Sequence, residues 1–282
     1  MKIAMLLHEG RTVMAAHTGG GYVDLEALAN TLRMDLPSNP VAVATSPELS
    51  KIGAALDGAP VLTGELQFLP PISRPGKLVC MARNYLLHAE ETGSSLPVEP
   101  IYFSKASTTL IGHQQPIIIP PGIGRVDPEA ELAVVIGKRA KGVSRGTALE
   151  HVAGYACFND VTARDLQSRD TGGKHPWFRS KSYDTFGPLG PYLVTASEVA
   201  DPHCLSIRLT VNGEVRQESN TAMMAFDIPA IIAAASLVMT LEPGDVIATG
   251  TPQGIAPIHP GDVVCVEVQG LGCLTNPVLS QG

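Results

Sequence analysis

From Lys77 onward the chain is a succession of short β-branched runs, each closed by a tight turn, and this feature most constrains its fold. The runs include Pro116–Pro120, Leu132–Ile136, Leu205–Val211 and Val263–Val268. The turns include Asn212-Gly213, Pro243-Gly244-Asp245 and Pro260-Gly261-Asp262. Asn-Gly between two alternating runs marks a hairpin, because both of its positions tolerate positive φ. One longer helical pattern stands out, about Asp227 to Met239. Asp227 can cap it, Pro229 suits its first turn, and Ile228, Ile231, Ile232 and Ala235 form an apolar stripe. Strands and helices do not alternate as a parallel α/β sheet requires. The expectation is therefore an α+β, mainly β protein, with a β-roll or barrel over residues 71–282.

Residues 1–70 read as a small N-terminal α/β unit. It has a strand at Met1–His8, a helix at Asp24–Leu32, and a second helix at Ser46–Leu56 capped by Ser46. The stretch Leu69–Gly76 holds three prolines and no periodicity, so it reads as a linker. The 282 residues are 44% hydrophobic, enough to bury a sizeable core. A net charge of −7 argues against a nucleic-acid partner. No apolar run reaches a membrane span, and the opening Met1–His8 is too short for a secretory signal, so a cytoplasmic location is expected. Five cysteines, odd in number and without a C-x-x-C pair, read as free thiols rather than a zinc site.

The chemistry centres on Asp127-Pro128-Glu129-Ala130-Glu131, which runs into the apolar Leu132–Ile136. Side chains alternate along a strand, so Glu129 and Glu131 share a face. Two like charges there would raise each other's pKa, and a divalent cation would relieve that repulsion. A second apolar run, Val152–Phe158, ends in Asn159-Asp160 and would deliver a third carboxylate. Three oxygen donors suit Mg2+ or Mn2+. By spacing alone the carboxylates could equally sit on a solvated strand face, with Asp160 capping a helix from Val161.

His88 and Glu91 lie three apart on a short helix after the Leu78–Ala82 strand, so a carboxylate can orient an imidazole there. Lys181 stands among aromatics, where it could face an oxyanion or simply extend to water. The turn Thr249–Gly254 follows a strand and offers backbone N–H groups that could bind a carboxylate.

In order, these pieces resemble the fumarylacetoacetate hydrolase superfamily over about residues 77–276. The matching text includes Arg83-Asn84-Tyr85-x-x-His88-x-x-Glu91, Phe103-Ser104-Lys105 and Asp127-Pro128-Glu129-x-Glu131. It continues through Asn159-Asp160-x-x-Ala163-Arg164-Asp165-x-Gln167, Lys181-Ser182-x-Asp184 and Thr249-Gly250-Thr251-Pro252-x-Gly254. Asn84-Tyr85 stands where some members carry a fourth acidic ligand, so the match is to the three-carboxylate branch.

The resemblance implies a mixed β-roll catalytic domain and a homodimer. It implies that Glu129, Glu131 and Asp160 bind Mg2+ or Mn2+, that His88 and Glu91 activate water from a lid, and that Lys181 stands beside the metal. Arg83, Gln167 and Thr251 match substrate contacts. The implied substrate is a small anionic 2-oxo acid, and the leading activity is C–C hydrolysis of an acylpyruvate-type 2,4-diketo acid through an enolate. Oxaloacetate decarboxylation, sugar-acid dehydration and isomerisation of 5-carboxymethyl-2-hydroxymuconate or 2-hydroxyhepta-2,4-diene-1,7-dioate use the same chemistry. A metal-stabilised binding module would need only the carboxylates, so the intact set of His88, Glu91, Lys181 and Gln167 favours an enzyme.

Overall fold

The computed structural model describes residues 1–282. The protein is α+β and mainly β. Its largest sheet has the strand order Gly21–Asp24, Arg11–Thr18, Lys2–His8, Gly187–Thr195, Val152–Asn159, Ala130–Ile136, Val246–Ala248, Leu78–Ala82, Ile101–Ser104. A second sheet of five strands runs Glu214–Asn220, Ser206–Val211, Val263–Val268, Gly272–Ser280, Ile117–Ile119. Pairing is mixed: Val246–Ala248 runs parallel to Leu78–Ala82, while its other neighbour, Ala130–Ile136, is antiparallel.

The two central strands, Ala130–Ile136 and Val152–Asn159, are buried along their whole length. Their alternation feeds two cores. Leu132, Val134 and Ile136 face one apolar cluster together with the second sheet and the helix Ile228–Val238. Ala133 and Val135 face another, shared with Ile3, Leu25 and Val41 of the N-terminal segment. That segment also joins the large sheet, with Lys2 opposite Val194, and Pro70, Pro71 and Ile72 of the proline-rich stretch are buried.

The capped helices form where capping chemistry allows. Asp24 accepts from the N–H groups of Glu26 and Ala27, and Asp227 from that of Ala230. The Asn212-Gly213 turn joins its hairpin with φ of 53° and 83°. The expected helix at Ser46–Leu56 is shorter, Leu49–Ala54, and Ser46 does not cap it. The Ser46 hydroxyl instead accepts from the Glu48 N–H, within the turn that precedes the helix. A further helix, Pro40–Ala44, was not expected.

The free-thiol reading needs correction. Cys265 and Cys273 are disulfide-bonded, with Cα atoms 6.3 Å apart on neighbouring strands, and Cys204 is exposed. Only Cys80 and Cys157 are buried free thiols. No helix is long and apolar enough to cross a membrane.

Candidate active site

Register brings the acidic residues together. Ala130 pairs with Asn159 and Glu131 with Phe158, so the chain leaves one strand at Asp160 just where the other enters at Glu129. The Asp160 N–H donates to the Glu129 carbonyl at 2.9 Å, and the Glu129 N–H donates to Asn159 Oδ1. Carboxylate oxygens of Glu129, Glu131 and Asp160 lie within 4.8 Å of one another, and all three residues are buried. This rules out the solvated strand face and the helix-cap role for Asp160. The helix after it begins only at Arg164.

Two lysines neutralise part of this cluster. Lys181 Nζ donates to Glu129 at 2.7 Å and to Asp160 at 2.6 Å. Lys105 Nζ donates to the other Asp160 oxygen at 2.7 Å and to the Val161 carbonyl at 3.1 Å. Lys181 does not extend to water; it is 2% exposed. Burial alone would lower its pKa, but Asp160 and Glu129 outweigh that and keep it charged. For Lys105 burial prevails and lowers the pKa despite Asp160.

The three carboxylates are not equivalent. Burial would raise the pKa of Glu129, yet Lys181 and Arg164 more than offset it and hold the group below the usual carboxylate range. The expectation that both glutamates would be raised therefore fails for Glu129, whose cations come from distant parts of the chain. Glu131 behaves as expected: burial, Asp160 and Glu129 push its pKa well above the ordinary value. Its one hydrogen bond is from the Gly250 N–H at 2.8 Å. A buried carboxylate with no cation of its own, beside two others, has the character of an incomplete coordination shell, and the all-oxygen donor set fits a divalent cation.

Opposite the carboxylates, His88 Nδ1 lies 3.2 Å from Glu91 Oε2, on the helix Leu86–Glu91. Glu91 also accepts from the Gly254 N–H at 3.0 Å. The Gly-rich turn thus spends its Gly250 and Gly254 N–H groups on the protein's own carboxylates. Gly254 has φ of 102°, and a Cβ there would lie 2.1 Å from the Arg216 carbonyl oxygen, so only glycine fits. Thr249 anchors the start of the turn, donating from both N–H and hydroxyl to the Leu132 carbonyl.

A cavity of about 400 Å3 joins these groups, with Arg83, Gln167 and Thr251 in its wall beside His88, Lys181 and the carboxylates. Arg83 adopts φ of 55°, and its guanidinium stands 5.8 Å from the Trp177 ring centroid. Gln167 accepts from Arg164, and Thr251 accepts from Gln217 at 2.9 Å.

Lys105, Asp127 and Arg164 stood in the matched motifs without a role. Arg164 proves to be a half-buried strut whose guanidinium reaches Asp127, Glu129 and Gln167 together. Asp127 is fully buried and accepts from two arginines. Burial of an Asp two residues ahead of Glu129 was not readable from spacing alone.

The fumarylacetoacetate (FAA) hydrolase C-terminal family matches residues 77–279. The chain belongs to this family. Oxaloacetate tautomerase FAHD2A, mitochondrial, from Bos taurus is 44% identical over 272 residues, covering 93% of this chain and 85% of its own length. Among solved structures, maleylpyruvate hydrolase from Sphingobium sp. SYK-6 in complex with manganese(II) and pyruvate superposes over 100% of both chains, with 32% identity and TM-score 0.83. The 5-carboxymethyl-2-hydroxymuconate delta-isomerase from Mycobacterium smegmatis also covers 100% of both, with 35% identity and TM-score 0.77. Family members thus span hydrolase, isomerase and tautomerase activities on one fold, and the present chain is an enzyme of that family.

Proposed function

We propose that the protein catalyses proton transfer at C3 of a 2-oxo acid, and specifically the keto–enol interconversion of oxaloacetate. The observation that carries this is the pairing of buried His88 with Glu91, both of which line the same cavity as the carboxylate trio and Lys181. An identity of 44% over most of the chain to an oxaloacetate tautomerase supports the choice of substrate. Glu129, Glu131 and Asp160 would hold Mg2+ or Mn2+, and the cation would act as a Lewis acid toward a 2-oxo acid.

The protein's own groups then divide the work. With a proton on Nδ1 shared toward Glu91, the His88 Nε2 is the acceptor, and it has no protein partner. Nε2 takes a proton from C3, the C–H electron pair forms the C2–C3 double bond, and the C2 oxygen takes the charge. Lys181, held charged between Glu129 and Asp160, supplies positive charge on that side. The proton on Nε2 passes to solvent and one from solvent reaches the C2 oxygen, which completes the enol and restores the neutral imidazole; the reverse sequence restores the ketone. Gly254 keeps Glu91 in place, so the imidazole keeps its orientation.

A second reading is C–C hydrolysis of an acylpyruvate, favoured by the same dyad and by the likeness to maleylpyruvate hydrolase. There His88 would take the proton from a water, whose oxygen attacks the distal carbonyl. The C3–C4 bond breaks, C3 regains a proton, and a carboxylic acid and pyruvate leave.

One assay separates the two. Enolic oxaloacetate is followed by its enol absorbance with Mg2+ or EDTA, and acetylpyruvate and maleylpyruvate are followed for pyruvate release. Mg2+-dependent loss of enol above the metal-only background supports the tautomerase. Pyruvate release from the diketo acids with no effect on enolic oxaloacetate replaces it with the hydrolase.

A further inference from the structure

Besides Arg83, the cavity wall contains another cationic group that the carboxylate site does not use. Arg125 lies just before the short ladder in which Val126–Asp127 pairs with Thr162–Ala163. Its backbone is held on both sides: the Arg125 N–H donates to Asp165 Oδ2 at 3.0 Å, and its carbonyl accepts from the Arg164 N–H at 2.8 Å. Its Nε donates to Asp127 Oδ1 at 2.7 Å. The other Asp127 oxygen accepts from Arg164 Nε, also at 2.7 Å.

The two arginines differ in what remains. The Arg164 side chain is only 13% exposed, and its two terminal nitrogens are taken by Gln167 and Glu129. The Arg125 side chain is 42% exposed, lines the cavity, and its two terminal nitrogens meet no protein acceptor. Asp127 therefore acts as a clamp that fixes the Arg125 guanidinium by its inner edge and leaves the outer donors free. Ser168 stands in the same wall, with a hydroxyl that suits an anionic ligand.

A 2-oxo acid bound at the trio engages the site through its own carboxylate and 2-oxo oxygen. Nothing in a monocarboxylic 2-oxo acid is left to meet a second cation. We infer that Arg125 recognises the second carboxylate of a dicarboxylic 2-oxo acid, so that the enzyme selects dicarboxylic over monocarboxylic substrates. A planar guanidinium fixed at one edge is suited to this, because carboxylates accept paired N–H donors in one plane. The inference rests on the 2-oxo acid reading of the site but not on which reaction follows.

The test uses two ligands that both lack a C3 proton, 3,3-difluorooxaloacetate and 3,3,3-trifluoropyruvate, which differ in a carboxylate against a fluorine at C3. Affinities are measured by calorimetry with Mg2+ present for the wild type, Arg125→Met and Arg125→Lys. The wild type should bind the dicarboxylate about tenfold or more tightly than the monocarboxylate, the range of a charge-assisted bond at a partly exposed site. Arg125→Met should erase that preference while changing monocarboxylate affinity less than about twofold. Arg125→Lys, which retains charge and guards against loss of folding, should keep part of it. With oxaloacetate as substrate, the Met variant should raise KM more than it lowers kcat. A wild type without the preference, or a Met variant that keeps it, overturns the inference even if the enzyme is active. Conversely, an Arg125-dependent preference in a protein that turns over neither oxaloacetate nor diketo acids retains the inference and removes the proposed reaction.

Discussion

Glu131→Gln should raise the melting temperature of the metal-free protein while weakening its hold on Mn2+, two effects of opposite sense from one substitution. Glutamine keeps the volume and can still accept from the Gly250 N–H, so packing is undisturbed. What it removes is a buried negative charge without an ion-pair partner, set against Asp160 and Glu129. Relieving an unmet buried charge restores about 1–3 kcal/mol. In a chain of this size that corresponds to a rise of roughly 2–5 °C.

The pH dependence has a definite sign. The folded protein raises the pKa of Glu131 above its unfolded value, so native stability from this group is complete at low pH, where it is protonated in both states. It is lost as pH rises through the elevated folded pKa. The gap between variant and wild type should therefore be absent below the ordinary carboxylate range. It should open above that range and level off beyond the pKa of Glu131. With metal the sense reverses, because removing one partner of a buried charge set costs about 3 kcal/mol or more, on the order of 100-fold in Kd. Scanning calorimetry across pH with EDTA, and titration calorimetry with Mn2+, read the two halves. An unchanged or lower melting temperature, or wild-type Mn2+ affinity in the variant, would refute the reasoning.

Glu129→Gln should do the opposite to the metal-free protein. It strips Lys181 and Arg164 of a shared acceptor and should cost about 3–5 kcal/mol, seen as a lower melting temperature. His88→Gln and Glu91→Gln should each lower kcat by about 100-fold or more while leaving Mn2+ affinity within about threefold, because the dyad is not part of the carboxylate trio. A parallel loss of metal affinity would place the dyad in the metal shell instead. Mn2+ binding should release protons and tighten as pH rises toward the pKa of Glu131, which calorimetry in buffers of different ionisation enthalpy detects.

Much of this was legible because it is local. Leu132–Ile136 and Val152–Phe158 are unbroken apolar runs, and burial on both faces leaves such runs no alternative to central strands. The hairpin at Asn212-Gly213 and the caps at Asp24 and Asp227 follow from single-residue chemistry. The helix Pro40–Ala44 escaped notice because five residues carry no periodicity. The disulfide escaped because Cys265 and Cys273 meet only through a hairpin register that puts Cys273 opposite Glu267.

The site divides in the same way. Glu129 and Glu131 share a face by alternation, and His88 meets Glu91 by helical spacing. The lowered pKa of Glu129 comes from Lys181 and Arg164, the second ammonium on Asp160 from Lys105, and the aim of Arg125 from Asp127, itself held by Arg164. Each is a long-range charge contact within the buried cluster, apart from the neighbouring Arg125 and Asp127. Spacing reveals which side chains share a surface, not which cations fold onto it.

The account stands on proton transfer at C3 by His88 beside a metal-holding trio. Proton NMR of oxaloacetate in D2O, with wild type, His88→Gln and Glu131→Gln, reads that step whether or not a C–C bond breaks. The account predicts Mg2+-dependent C3 deuteration by the wild type well above the free-metal background, abolished by EDTA and strongly reduced in both variants. Deuteration no faster than that background, or an enzymatic rate indifferent to EDTA and to His88, would contradict it.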